Sequence, residues 1–432
     1  MSFDKLGLSP ELLKAVAKQG YTTPTPIQEQ AIPHVLSGSD MLASAQTGTG
    51  KTASFTLPIL HILSKNEIKG RRQPRALILT PTRELAAQVS NNLRSYAQFT
   101  KLRSTVIFGG VNQNPQVRAL QQGQDIVIAT PGRLLDLYNQ RHLSLKSISM
   151  FVLDEADRML DMGFLGDIKK IISLMPPQRQ NLMFSATFSG EIKKLTKDIL
   201  NQPVTVDVSP PNSTVESISQ MGYRVDKSKK RDLLLKLIND QNWNQALVFC
   251  RTKHGANNLS ERIEKEGITS VAIHGNKSQG ARTKALADFK RNKVRILVAT
   301  DIAARGLDIP LLPHVVNFDL PNISEDYVHR IGRTGRAGAD GVAISFVSPD
   351  ENNYLRGIER LIDFTLPLEE IEGFYTPRKP SKKAIARGEG KSGSKSTGSG
   401  KKPSRSGYKG KASSTTTSET NSKARKPKKR WY

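Results

Sequence analysis

Two short runs in this chain carry residue types suited to moving a phosphoryl group. Ala45, Gln46, Thr47, Gly48, Thr49, Gly50, Lys51 and Thr52 form a glycine-rich stretch that ends in Lys-Thr. Placed between a strand and a helix, such a stretch lays backbone N–H groups against phosphates. Its lysine reaches the β and γ oxygens, and the neighbouring hydroxyl ligates Mg2+. Ala45 stands where glycine is commoner, but Gly48, Gly50, Lys51 and Thr52 keep the cradle. Much further along, the apolar run Phe151-Val152-Leu153 ends in Asp154, Glu155, Ala156 and Asp157. A strand that finishes in two adjacent carboxylates offers one to hold Mg2+ and one to orient or deprotonate an attacking water. Together the two runs predict ATP hydrolysis, with Lys51, Asp154 and Glu155 catalytic and Thr52 and Asp154 as the Mg2+ ligands.

A third run, His329-Arg330-Ile331-Gly332-Arg333-Thr334-Gly335-Arg336, sets three arginines among glycines that let the backbone approach a ligand closely. The arginines are expected to point outward. Arg333 and Arg336 then serve as arginine fingers on a polyphosphate supplied by another domain.

These residues need a scaffold. Runs rich in Val, Ile and Leu at 41–43, 75–79, 105–108, 125–128, 150–153 and 182–184 alternate with helical stretches, one of them the apolar segment 53–60. A second series follows at 246–250, 271–273, 294–298, 314–318 and 342–346. Such alternation predicts an α/β fold with two domains, each a parallel sheet covered by helices on both faces. The 432 residues exceed what one core holds. The expected boundaries are a first domain at 1–207, a linker at 208–217 around Pro210-Pro211-Asn212-Ser213, a second domain at 218–375 and a tail at 376–432.

The formal charge is +26, and 18 Lys/Arg against 2 acids in residues 376–432 place +16 of it in the tail. That excess favours a polyanion, above all nucleic acid, although charge can also serve solubility alone. The tail is Lys, Gly, Ser and Thr with almost no large apolar residues, so disorder is expected there. The single Cys250 forbids an internal disulfide and reads as core packing in a reducing compartment. With no leader-like start and no apolar run of membrane-spanning length, the expectation is a cytoplasmic protein without a membrane partner.

A path for a nucleic-acid backbone is also legible. Pro81-Thr82-Arg83 and Thr130-Pro131-Gly132-Arg133 each fall where a strand ends and a helix begins, with a Thr able to cap, a Pro suited to the first turn and an Arg alongside. Each is a phosphate site. Gly109-Gly110 would let an extended backbone come close, with plain turn duty an equal reading.

Taken together, these motifs resemble those of the DEAD-box RNA helicases of superfamily 2, over nearly all of residues 1–345. The resemblance implies two RecA-like domains that clamp ATP and RNA between them. Gly20-Tyr21-Thr22-Thr23-Pro24-Thr25-Pro26-Ile27-Gln28 is similar to the family's Q motif, with Phe3 upstream. It implies Gln28 reading adenine through an amide that offers donor and acceptor, with an aromatic, Phe3, stacked on the base and Tyr21 in the same site. Ser185, Ala186 and Thr187 would couple hydrolysis to unwinding together with Asp157 and His329, and Asp308 would face the ribose. RNA contacts are implied for Pro81, Thr82, Arg83, Gly109, Gly110, Thr130, Pro131, Gly132 and Arg133. In the second domain they are implied for Arg251, Thr252, Gly275 beside His274, Gln279, Arg282 and Thr300. Contacts to phosphate and sugar carry no sequence information, so RNA binding is expected to be sequence-tolerant.

Met1 to Leu8, Arg251 to Asn257 and His274 to Arg282 resemble the bacterial RhlE-type subgroup, which implies ribosomal precursors or RNA-decay machinery as partners. Two rivals stay open. One is an ATP-gated RNA clamp or annealing chaperone that works through the tail, and the other is a DNA translocase of the same superfamily.

Overall fold

The computed structural model describes residues 2–44, 49–65, 70–185, 190–208, 218–304, 309, 312–334 and 341–377. The first half holds β1 (Met41–Ser44), β2 (Ala76–Leu79), β3 (Ser104–Ile107), β4 (Ile126–Ala129), β5 (Met150–Leu153), β6 (Gln180–Ser185) and β7 (Val204–Asp207). They form one parallel sheet in the order β3-β4-β2-β5-β6-β1-β7. The second half holds β8 (Ser219–Arg224), β9 (Ala246–Phe249), β10 (Ser270–Ile273), β11 (Ile296–Ala299), β12 (His314–Asn317), β13 (Val342–Val347) and β14 (Leu368–Glu370). Its parallel order is β10-β11-β9-β12-β13-β8-β14. Counted from each half's own first strand, the two orders are identical.

Continuous apolar runs make the central strands because both faces of each sheet are covered. In β2, Ala76 and Ile78 enter one core while Leu77 and Leu79 enter the core on the opposite face. In β9, Ala246 and Val248 part from Leu247 and Phe249 in the same way. This period-2 division is the pleat itself.

Three strands escape the sequence pattern: β7, β8 and β14. β8 reads Ser-Gln-Met-Gly-Tyr-Arg, and β14 is a three-residue edge strand, Leu-Glu-Glu. Neither has an apolar run, since β14 closes the sheet edge and β8 lies next to it. Gly222 of β8 is closely packed, since a Cβ there would meet Leu368 Cδ2 at 2.5 Å and Ser345 O at 3.1 Å. The helix expected over 53–60 extends from Lys51 to Lys65.

Helices start just beyond the C-terminal ends of the strands: Lys51–Lys65 after β1, Arg83–Ala97 after β2, Pro131–Asn139 after β4 and Ala156–Asp161 after β5. In the second half, Lys253–Lys265, Gln279–Lys290, Asp301–Ala304 and Ser324–Ile331 follow β9, β10, β11 and β12. Open parallel sheets bind ligands at that edge. Among the described residues, no helix is long and apolar enough to cross a membrane.

Candidate functional site

β6 lies between β5, which leads to the carboxylates, and β1, which leads to the glycine-rich run. Phe55 of the helix Lys51–Lys65 packs on Phe184 of β6, with ring centroids 5.0 Å apart, and this fixes the helix start. Lys51 is the first residue of that helix and is 7% exposed, while Thr52 is half-buried. Asp154 continues the ladder, its N–H donating to Leu79 O at 3.0 Å, and it is 3% exposed. Lys51 Nζ and Asp154 Oδ1 are both buried without a hydrogen-bond partner among the described residues. A buried ammonium and a buried carboxylate oxygen left unsatisfied are costly, so the pair fits a ligand that carries both negative charge and a cation. Burial raises the Asp154 carboxyl to about 7; Lys51 pulls it down, while Glu155 pushes it further up.

Glu155 takes a left-handed backbone, φ 53 and ψ 53, ahead of the helix Ala156–Asp161. For a non-glycine residue this conformation costs roughly 1–2 kcal/mol. It breaks the strand direction directly after Asp154, so neighbouring carboxylates leave the sheet on different courses. Asp157 Oδ1 accepts from the Arg158 N–H at 2.9 Å. Ser185, fully buried, ends β6 in register with Ser44 of β1.

The base-side residues are tied to the phosphate side. Thr25 and Gln28 form a capping box at the helix Pro26–Leu36, in which Gln28 Oε1 accepts from Thr25 N–H at 3.0 Å. Gln28 Nε2 donates to Gly50 O at 3.2 Å. Each end of the amide keeps one further hydrogen-bonding capacity. Thr49 precedes Gly50, whose φ of +94 and closeness to Gln28 exclude a side chain. Phe3 is 5% exposed and lies against Tyr21, rings 6.5 Å apart at 22°. Tyr21, 41% exposed, is therefore the aromatic that presents surface, and its hydroxyl meets that of Tyr96 at 3.2 Å.

β3, β4 and β2 are neighbours, so 109–110, 130–133 and 81–83 meet at one corner of the first sheet. A Cβ on Gly110, whose φ is +72, would run into the Arg83 guanidinium. Arg133 Nη2 donates to Val111 O at 3.3 Å, and Arg133 Nε pairs with Asp136 at 3.3 Å. Thr82 caps its helix through Leu85 N–H, with Pro81 ahead of the cap rather than in the first turn. At Thr130 the side chain makes no cap bond, and Pro131 and Gly132 open the helix.

In the second half Thr252 caps its helix through Gly255 N–H, and Gly275 is exposed beside Lys253. His274 Nε2 pairs with Asn257 Oδ1 at 2.9 Å, and Thr300, 7% exposed, opens the helix Asp301–Ala304. Arg251 Nη2 turns to Glu351 Oε1 at 2.7 Å and Leu320 O at 3.0 Å, a buried network that also holds Lys230.

The outward reading of the three arginines is corrected for Arg333, which is buried, and for Arg330. Arg330 is 2% exposed, its Nε and Nη2 grip both oxygens of Asp301 at 2.5 and 2.7 Å, and its Nη1 donates to Asn317 and to Asp319 O. A guanidinium fork suits such bidentate bracing, which fixes the helix Ser324–Ile331 on the sheet. His329 is half-buried and Arg333 is 8% exposed at the end of that helix. Ala45, Gln46, Thr47, Gly48, Ala186, Thr187, Asp308, Arg336, the linker at 209–217 and the tail from 378 lie outside the described residues.

The two halves meet through side-chain pairings that the sequence patterns did not reveal. Glu84 receives Gln279 Nε2 at 2.7 Å and Arg282 Nη2 at 2.9 Å. Arg158 Nη1 donates to Asp326 Oδ1 at 2.7 Å. Gln279 and Arg282 thus spend polar atoms on the opposite half in this structure. Glu84 and Arg158 each adjoin a quoted motif, but their partners across the halves are at least 195 and 168 residues away, and no local pattern reports that.

Residues 25–195 match the DEAD/DEAH box helicase family, and residues 229–338 match the helicase conserved C-terminal domain. The chain is 45% identical over 361 residues to the ATP-dependent RNA helicase CshA of Limosilactobacillus reuteri, covering 84% of this chain and 72% of that one. With the DEAD-box ATP-dependent RNA helicase RhpA of Helicobacter pylori it shares 42% over 370 residues, covering 86% and 74%. The structure is similar to that of S. cerevisiae Dbp5 bound to RNA and ADP BeF3, with a TM-score of 0.77, 34% identity, and 85% and 95% of the two chains covered. For a variant of the same yeast protein bound to Nup159, Gle1, IP6 and ADP, the TM-score is 0.58 at 32% identity, over 85% and 96%. Matched along both of its RecA-like halves, this chain belongs to the DEAD-box ATP-dependent RNA helicases.

Proposed function

We propose that this helicase remodels short RNA duplexes and RNA–protein complexes by local strand separation, driven by RNA-stimulated ATP hydrolysis at the edge where its two sheets meet. The observation that carries the reading is the pair of unsatisfied buried atoms, Lys51 Nζ and Asp154 Oδ1, on the same sheet edge as the Gln28–Gly50 link. Gln28 and Tyr21 hold the base, with Phe3 backing Tyr21. The 45–52 run holds the phosphates, and Asp308 the ribose. Thr52 and Asp154 hold Mg2+, which when bound neutralises charge on the phosphate oxygens. Glu155 orients the attacking water and takes its proton, and Arg333 and Arg336 stabilise charge on the transferring group.

Single-stranded RNA runs along the corner formed by 81–83, 109–110 and 130–133 and continues past Arg251, Thr252, Gly275, Gln279, Arg282 and Thr300. Phosphate and sugar contacts of this kind make binding sequence-tolerant. Ser185, Ala186, Thr187, Asp157 and His329 report closure to the carboxylates, so turnover responds to RNA. We place the protein in the cytoplasm, in the RhlE-type subgroup, at ribosomal precursors or RNA decay.

The test compares ATPase stimulation by matched RNA and DNA strands, followed by unwinding of a short duplex tailed at either end. RNA-selective stimulation and unwinding from either tail are expected. Equal stimulation by DNA, or strict polarity, would overturn the reading. The charge of the tail supports a second activity, strand annealing through 376–432. Deleting that segment should remove annealing and leave duplex separation intact.

A further inference from the structure

We infer that Arg158 is a two-partner latch that couples closure of the halves to the acidic run, with Asp326 as its closed-state partner and Asp161 as its resting partner. The inference rests on the reading that turnover requires the two halves to meet.

Arg158 directly follows Asp157, and its own N–H is the donor to Asp157 Oδ1 at 2.9 Å, so any pull on Arg158 is felt by the carboxylate run. The same guanidinium nitrogen, Nη1, reaches Asp326 at 2.7 Å across the interface and Asp161 at 3.0 Å on its own helix. Side-chain exposures are 4% for Arg158, 8% for Asp326 and 40% for Asp161. The cross-interface pair is thus desolvated, and the local pair faces water.

That asymmetry gives the device its sign. Separation of the halves without a local partner would leave a bare guanidinium, and removal of one member of a buried pair is strongly unfavourable. Asp161, three residues along the helix, keeps a counter-charge on Arg158 when Asp326 departs. Opening is thereby made reversible, while closing adds a buried bond to the solvent-facing one. Asp326 lies on the helix Ser324–Ile331, which Arg330 braces rigidly to the second sheet through Asp301. Movement of the second half is therefore delivered to Arg158 without slack.

The test uses the full chain and measures steady-state ATPase against the concentration of a single-stranded RNA oligonucleotide. RNA-free ATPase and Tm serve as structural controls. Asp326→Asn and Arg158→Gln should each raise the KM for RNA at least about tenfold, with RNA-free rate and Tm unchanged. The double variant should match the singles, because both remove one interaction. Asp161→Asn should act in the opposite direction, lowering the KM for RNA about two- to fivefold, the scale of a half-exposed ion pair.

An unchanged KM in Asp326→Asn would overturn the latch, as would effects that add in the double variant or a raised KM in Asp161→Asn. A Tm lowered together with the RNA-free rate would assign the pair to folding and overturn it too. Absence of RNA stimulation in the unmodified chain would instead overturn the functional reading on which the latch rests.

Discussion

Gln28 and Gly50 are joined by a 3.2 Å hydrogen bond from the amide nitrogen to the backbone carbonyl, which links the base side of the site to its phosphate side. Gly50 has φ +94, and a Cβ would collide with the Gln28 amide. Gly50→Ala should therefore raise the Kd for ATP at least about tenfold, since left-handed strain alone is worth roughly 1–2 kcal/mol. Titration with a fluorescent ATP analogue checks this. Gln28→Ala, which deletes the link, should also lower the preference for ATP over GTP.

Glu155→Gln keeps size and hydrogen bonding but removes the base. ATP and RNA binding should persist while the ATPase rate falls by about 10²–10⁴, the usual contribution of a general base. A variant with the unmodified steady-state rate would remove Glu155 from the scheme.

Gly110→Ala should displace the Arg83 guanidinium, because the new methyl would occupy its position. RNA affinity is expected to fall about tenfold, the effect of losing ~1.4 kcal/mol, while ATPase without RNA stays unchanged. Fluorescence anisotropy with a labelled single strand gives the first number and a coupled assay the second.

Glu351 is 2% exposed and gathers Lys230, Arg251, and the N–H groups of Leu320 and Ser348 on one carboxylate. Glu351→Ala leaves the 1%-exposed Lys230 ammonium only Phe318 O at 2.7 Å and the Asp319 carboxylate at 3.7 Å, and should destabilise the second half by about 1–3 kcal/mol. Urea unfolding should show a lowered midpoint for the second half, with the first half unaffected.

Burial lowers the His314 imidazole below its ordinary 6.5, against a weaker upward pull from a hydrogen bond with Gln245, and the ring stacks on Trp243 at 4.4 Å. The unfolded chain takes up a proton near 6.5 and the folded chain only at lower pH. This contribution to stability is thus complete above 6.5 and is lost as the pH falls from there through the folded value. His314→Asn should flatten the pH dependence of the second half's Tm in that window.

Much of the site was legible because its chemistry is local. The Lys51–Thr52 pair, the carboxylates at 154–155 and the corner segments at 81–83, 109–110 and 130–133 each sit at a strand's C-terminal end, where a turn into a helix demands particular residues. The weak edge strands β7 and β14 and the polar β8 were not legible, since they belong to their sheets through backbone pairing and neighbours rather than through an apolar run of their own. Arg330 was misread for a related reason. Its run looks like a basic face, and only the fold supplies the Asp301 and Asn317 that draw it inward.

The sequence by itself determined two parallel α/β halves and the atoms that can handle phosphate, because strand period, turn chemistry and charge are written over a few consecutive residues. Only the tertiary structure decided that Gln28 would be locked to Gly50, that Glu84 would take Gln279 and Arg282, and that Arg158 would reach Asp326 as well as Asp161. The long-range pairings among these run from 22 residues for Gln28–Gly50 to 195 for Glu84–Gln279 and further for Glu84–Arg282, and such partners are set by how the packed elements meet in space, which no local pattern encodes.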